Sequence, residues 1–300
     1  MLGKLGILVV AASALVLAAS ASGAKITAGD IFGAAESQET STNVAGGHEG
    51  GFVSCDAGRR VITGGAYWHQ TGTGGNYEEA DNAYLGDSAV TKDGKGWYAD
   101  GFHRYPLVSM DLTLYTLCIP KRQVKGTMLI GKTVSVNDSY DAHAKAKCPQ
   151  GWEVYTGGAF FHAKGEAPNP DDGGGSRTSA SMPLANGSGW YGAGTTGYGE
   201  KSKLTVRARC LPSRRIAPTK LVKETFTAGD NANTGGLVGC PGDRVPLTGG
   251  AYWRKANKGL ARSVTAGVIG SSIISSLPGW YATGQSGGVD LRFTIVMRCL

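Results

Sequence analysis

The chain has 300 residues, of which 48 are glycine and six cysteine, and its 30 Lys and Arg outnumber its 23 Asp and Glu. A glycine load of this size works against long helices and points to β structure. Beyond the N-terminus no stretch is continuously apolar enough to span a bilayer, and despite the basic balance no nucleic-acid-binding motif is present.

In chain order, Lys4 precedes an apolar run from Leu5 to Ala19, followed by the small residues Ser20, Ala21, Ser22, Gly23 and Ala24. That order of charged, apolar and cleavage regions is a secretory signal peptide, so residues 1–24 are set apart from the fold. The mature chain is therefore expected outside the cell. No cysteine lies near the cleavage zone, which argues against a lipid anchor.

The mature chain is one pattern written three times. Residues 25–120 carry Cys55, then Thr63-Gly64-Gly65-Ala66-Tyr67-Trp68, then Gly96-Trp97-Tyr98, and close on Cys118. Residues 121–215 carry Cys148, Thr156-Gly157-Gly158-Ala159-Phe160-Phe161, Gly189-Trp190-Tyr191 and Cys210. Residues 216–300 carry Cys240, Thr248-Gly249-Gly250-Ala251-Tyr252-Trp253, Gly279-Trp280-Tyr281 and Cys299. Repetition of this fidelity sets the architecture ahead of any other signal. The joints, Pro120-Lys121-Arg122 and the stretch from Pro212 to Pro218, are basic and proline-containing, as linkers often are.

Within each copy the closing segment alternates. Leu204, Val206 and Ala208 point one way and Thr205, Arg207 and Arg209 the other, the period of a half-buried strand. Arg59–Thr63 and Trp152–Thr156 read as strands entering the double glycine, where a bulge or a close backbone approach is expected. Six cysteines allow fifteen pairings. The repeat selects Cys55–Cys118, Cys148–Cys210 and Cys240–Cys299, and no Cys-x-x-Cys or Cys/His spacing supports zinc instead. The expected fold is all-β: three tandem disulfide-stapled antiparallel β-sandwich repeats, with a single three-fold β-prism as the alternative.

The pattern Cys-Pro-x-Gly, Gly-Gly-Ala, Gly-Trp, Leu-x-Val-x-x-x-Cys is complete in the second copy, from Cys148-Pro149-Gln150-Gly151 to Leu204, Val206 and Cys210. It resembles a module common in exported actinobacterial proteins. The first copy departs from it with Asp56 in place of the proline, and the third, Cys240-Pro241-Gly242-Asp243, shifts the glycine. The resemblance covers nearly the whole mature chain and implies a secreted β domain of independently folding units, with no catalytic residue carried over. A weaker likeness to the threefold vitelline-membrane outer-layer proteins, whose repeats also run between cysteines, is what implies the prism alternative.

Charge is unevenly spread. Residues 25–120 hold six Lys and Arg against twelve Asp and Glu, whereas residues 121–300 hold twenty-three against eleven. An acidic unit followed by two basic ones suits self-association or the grip of an anionic polymer. The repeated aromatics read first as core, but Trp68 and Trp253, if exposed, would make stacking platforms for sugar rings. His69 and His162 follow the aromatic pair in the first two copies and Arg254 takes that place in the third, a candidate anion or hydrogen-bonding position. The divergent loops Thr71–Asp81, Ala163–Gly175 and Lys255–Ala261 are the expected hosts of specificity. No nucleophile elbow, metalloprotease helix or phosphate loop is present, so no enzyme, cofactor or metal is expected. The function expected is an exported, non-catalytic binding module at the cell surface, recognising carbohydrate or an anionic cell-wall polymer. The alternatives are a self-associating structural surface protein and a secreted hydrolase with an unrecognised site.

Overall fold

Every segment that reads as a strand in the sequence is one. The computed structural model describes residues 25–34, 36–44, 47–70, 83–103, 109–136, 140–163, 176–196, 202–229, 232–255, 258–260, 266–274, 279–287 and 291–300. The signal-peptide region lies outside them. The first unit has a short helix α1 (Ala28–Ala34), its N-terminus closed by reciprocal hydrogen bonds between Thr27 and Asp30. Its strands are β1 (Glu36–Val44), β2 (Gly47–Ser54), β3 (Arg59–Gln70), β4 (Ala83–Val90), β5 (Gly96–His103) and β6 (Met110–Pro120). The second unit repeats the six as β7 (Met128–Ser135), β8 (Asp141–Lys147), β9 (Trp152–Ala163), β10 (Ser176–Pro183), β11 (Gly189–Thr196) and β12 (Ser202–Pro212). The third has β13 (Lys220–Thr227), β14 (Asn233–Gly239), β15 (Pro246–Lys255), a short β16 (Lys258–Leu260) beside β15, β17 (Ala266–Ile274), β18 (Gly279–Ser286) and β19 (Leu291–Cys299).

The strands form three antiparallel sheets. The first runs β1-β6-β3-β17-β18-β14, the second β13-β19-β15-β10-β11-β8, and the third β2-β5-β4-β9-β12-β7. Each unit therefore divides three and three between two sheets, and its halves face each other across a core as a small sandwich. The half-sheets then continue into the neighbouring unit through very short seams: Tyr67 and Ala66 against Gly270 and Ser271, Ser88 against Ala159, Ala180 and Ser181 against Tyr252 and Ala251. The consecutive edge strands β1 and β2, β7 and β8, and β13 and β14 make the corners where two sheets meet. The sandwiches are thus fused into one three-sided body, and the units are not beads on a string.

The repeated motif is the machinery of that fusion. A Cβ on Gly64, Gly157 or Gly249 would lie 2.4 to 2.7 Å from the ring of Trp97, Trp190 or Trp280 of the same unit. A Cβ on Gly65, Gly158 or Gly250 would lie 2.0 to 2.3 Å from the carbonyl oxygen of Ser271, Ser88 or Ser181 of a neighbouring unit. The first glycine of each pair therefore seats a tryptophan and the second admits a neighbour's backbone. The register shift itself falls one or two residues earlier, at Val61/Thr63, Arg209/Cys210 opposite β9, and Pro246/Thr248.

One core joins the first and third units, with Trp68, Leu85, Trp97, Leu112 and Leu114 packed in the same cluster as Trp253, Trp280, Phe293 and Ile295. The second unit has its own, around Phe161, Trp190, Leu204, Val206 and Ala208. A third cluster closes one end of the body with Ile62, Tyr155 and Leu247, with Ile119, Leu211 and Leu300, and with Ile26, which bridges to Ile216. The three disulfides are Cys55–Cys118, Cys148–Cys210 and Cys240–Cys299. Each ties a strand of one sheet to the closing strand of another. The closing strands are more enclosed than their alternation implies: Thr205, Arg207 and Arg209 are buried along with Leu204, Val206 and Ala208, and Arg207 stacks 4.4 Å over the Phe160 ring.

Candidate functional site

Three copies of one scaffold separate what the frame needs from what one unit adds. Strands β4, β10 and β17 each carry a one-residue register shift against the following strand, and the residue after it stands opposite a fixed position on that strand. In the second unit this pair is Ala180 and Ala193, and in the third Gly270 and Thr283. In the first it is Asp87 and Asp100. Both carboxyls are fully buried. A frame that closes with Ala and Ala, or Gly and Thr, has no packing need for two buried carboxyls, whose desolvation is costly.

Neighbours define their protonation. The Phe161 backbone N–H donates to Asp87 Oδ1 at 2.7 Å. The Tyr98 hydroxyl donates to Asp100 Oδ2 at 3.1 Å, and His48 Nε2 lies 3.3 Å from the same oxygen. Asp87 Oδ2 and Asp100 Oδ1 have no hydrogen-bond partner among the described residues. Burial, with the Asp100 charge adding to it, holds the Asp87 carboxyl well above the usual carboxylate range. Burial also raises Asp100, opposed by His48 and Tyr98. The hydrogen bond to Asp100 raises His48 against the opposing effect of burial. Of the two, Asp87 is pushed further toward its neutral form, because His48 and Tyr98 both face Asp100 and oppose its rise.

His48 and Tyr98 bring this buried pair to the surface. Together with Glu49, Gly50, Gly51 and Phe52 they line an open groove of about 320 Å³ along the edge strand β2. Phe52 is 51% exposed there. At its cross-strand position the second unit has Lys145 and the third Leu237.

The second sheet has a different outward face. Arg254 on β15 is directly opposite Arg292 on β19, and both are half-buried. Arg254 Nε has no hydrogen-bond partner among the described residues. Tyr252, two residues before Arg254, joins Met182 and Leu184 over a small apolar cluster of Ala180, Tyr191 and Ala193. Beyond it, on the edge strand β8, His143, Lys145 and Lys147 are all exposed while Ala142, Ala144 and Ala146 between them are buried.

The residues singled out from sequence sort differently. Trp68 and Trp253 are buried and donate their indole N–H groups to the carbonyls of Tyr84 and Gly267, so they are core and offer no stacking platform. His69 and His162 are buried on equivalent bonds, Nε2 to the hydroxyls of Thr113 and Thr205 at 3.0 and 2.9 Å, and are joined to the frame rather than to a site. Arg254 alone stands on a charged face. The divergent loops Thr71–Asp81 and Ala163–Gly175 lie outside the described residues except for Ala163, and the third keeps Lys255 and Lys258–Leu260. Among the described residues no three His, Cys, Asp or Glu side chains stand close enough to hold a metal ion. No helix among them is long and apolar enough to cross a membrane.

Sequence reading missed His48, Phe52, Asp87 and Asp100. The signal that finds them is the departure of the first copy from the other two, counted from Ser88, Ser181 and Ser271 for the two aspartates and back from Cys55, Cys148 and Cys240 for His48 and Phe52. A scan against protein-family models finds no match for this chain, and a search of curated proteins finds none either.

Proposed function

We propose that this protein is an exported, non-catalytic binding module that holds an anionic wall polymer or acidic polysaccharide on the outward face of its second sheet. The signal-type N-terminus and three disulfides support export to an oxidising compartment. The observation that carries the binding role is the pairing of Arg254 with Arg292. Like charges directly opposite on a sheet repel, so this pair works against the fold and is relieved by an anion. Guanidinium groups suit the bidentate recognition of carboxylate and phosphate oxygens. Tyr252 supplies flat apolar area beside them. The cations of β8 lie three strand spacings from β15, about 15 Å away, and extend the face for a chain-like ligand.

The test is retention of the mature protein on phosphodiester-bearing and uronate-bearing polymers and on neutral insoluble glycans, at low and high salt. Retention on the anionic polymers that falls with salt, and that weakens about tenfold or more in Arg254→Gln/Arg292→Gln, supports the reading. Absence of retention on any anionic polymer, or retention indifferent to the double substitution, overturns it.

A further inference from the structure

We propose that the β2 groove is a second site, one that takes an uncharged saccharide unit. Three observations point there independently of the cationic face.

The first is shape. Gly50 makes room for the Tyr98 hydroxyl, which would lie 2.8 Å from a Cβ there, Gly51 adds no side chain ahead of the half-exposed Phe52 ring, and the groove of about 320 Å³ is at the small end of ligand pockets. A flat apolar ring beside bare backbone suits the C–H face of a pyranose.

The second is polar chemistry at fixed positions. The Tyr98 hydroxyl and His48 are both tied to Asp100 Oδ2, so neither is free to wander, and Glu49 lies along the same groove. A carboxylate that accepts, an imidazole that donates and a phenol oxygen that accepts are what a set of sugar hydroxyls can satisfy.

Charge balance is the third. His48 lies against the Asp100 carboxyl, and the charges of Asp100 and Glu49 both favour its protonated form. The acids would repel an anion, and the imidazolium would repel an amine. A neutral polyol meets neither penalty.

The buried pair behind the groove then has a reason to exist. Asp100 is the positioning residue for His48 and Tyr98, and burial pushes Asp87 beside it toward the neutral form, which limits the buried charge. The frame does without such a pair in the units that carry Lys145 or Leu237 in place of Phe52.

The experiment is saturation-transfer NMR with the full mature chain and a panel of neutral mono- and disaccharides at high salt, where binding to the cationic face is screened. The expected result is transfer from aromatic protein protons to at least one sugar. Affinity should fall about tenfold in Phe52→Ala, recover in Phe52→Tyr, and be unchanged in Arg254→Gln/Arg292→Gln. Phe52 is exposed, so its replacement leaves the fold intact. No transfer to any neutral sugar, or equal transfer in Phe52→Ala, overturns the proposal. So does a concentration-dependent size that Phe52→Ala abolishes, which would make a second copy of the chain the occupant. A failure of the anionic-polymer test leaves this result unaffected, because the two sites share no residue.

Discussion

Trp190 donates its indole N–H to the hydroxyl of Ser181 at 3.0 Å, across the hairpin of β10 and β11 and nine residues apart. The same bond recurs at the same separation from Trp97 to Ser88, at 2.9 Å, and from Trp280 to Ser271, at 3.0 Å. All six residues line one cavity of about 20 Å³ where the three units meet. The carbonyl of each serine is also the atom that the neighbour's second glycine approaches. Each serine thus fixes its own unit's tryptophan with its side chain and the next unit with its backbone.

Replacing Gly158 with Ala tests this hub. The new Cβ would lie 2.3 Å from both the Ala89 Cα and the Ser88 carbonyl oxygen, backbone atoms that cannot step aside singly. A loss of about 3 kcal/mol or more is expected in chemical denaturation. Gly131 on β7, where a Cβ meets nothing within 4 Å, is the control, and its change to Ala should stay within about 0.5 kcal/mol.

That relationship also marks how far the sequence can be read. Cysteine pairing and strand identity were legible because both are written inside one copy: one staple spanning 59 to 63 residues, and apolar alternation before each closing cysteine. The close approach at each double glycine was legible in kind. Its partner was not, since Gly158 answers to Ser88 in another unit and no local pattern encodes a seam one or two residues long. Asp87 and Asp100 stayed hidden for a related reason. They are thirteen residues apart, and only the shifted register of β4 against β5 sets them face to face.

Arg298 clamps the third unit to the second. Its guanidinium donates to the Val154 carbonyl at 3.2 Å, to Glu153 at 2.5 Å and to the Thr219 hydroxyl at 2.6 Å. Gly187, at φ 72°, serves it twice: the turn needs the left-handed conformation, and a Cβ would lie 2.2 Å from Arg298 Nη1. Arg298→Ala should cost about 3 kcal/mol by denaturant midpoint. Glu153→Gln, which keeps an acceptor at a position that is 30% exposed, should cost about 1 kcal/mol or less. Equal losses in the two variants would argue that the ion pair, and not the backbone contact to Val154, holds the seam.

The disulfides should behave as cross-links between sheets. Cys148 follows β8 of the second sheet and Cys210 lies in β12 of the third, 62 residues apart. Removing the pair with Cys148→Ala/Cys210→Ala is expected to lower stability by about 4 kcal/mol. Hydrogen exchange gives the more specific readout. Protection should fall along β8 and β12 together, because the staple joins two layers and not two neighbours in one layer. Loss confined to β8 alone would contradict a role in holding the layers.

The pH dependence of stability follows from Asp87. Its carboxyl is raised in the folded state by burial first and by the Asp100 charge second, so folding binds a proton there that the unfolded chain gives up near pH 4. A raised carboxyl contributes stability that is complete below the ordinary carboxylate range. That contribution is lost as pH climbs from about 4 toward the folded value, at up to about 1.4 kcal/mol per pH unit. Asp100 and His48, both raised, act in the same direction over their own ranges. Asp87→Asn keeps an oxygen to accept the Phe161 N–H and removes the titration. Urea unfolding from pH 4 to pH 8 should therefore show wild type losing ground steadily to Asp87→Asn as pH rises, with the two closest at the acid end. Parallel pH profiles for the two proteins would mean that Asp87 ionises normally, and that His48 and Asp100 form the groove's charge balance without a neutral acid behind them.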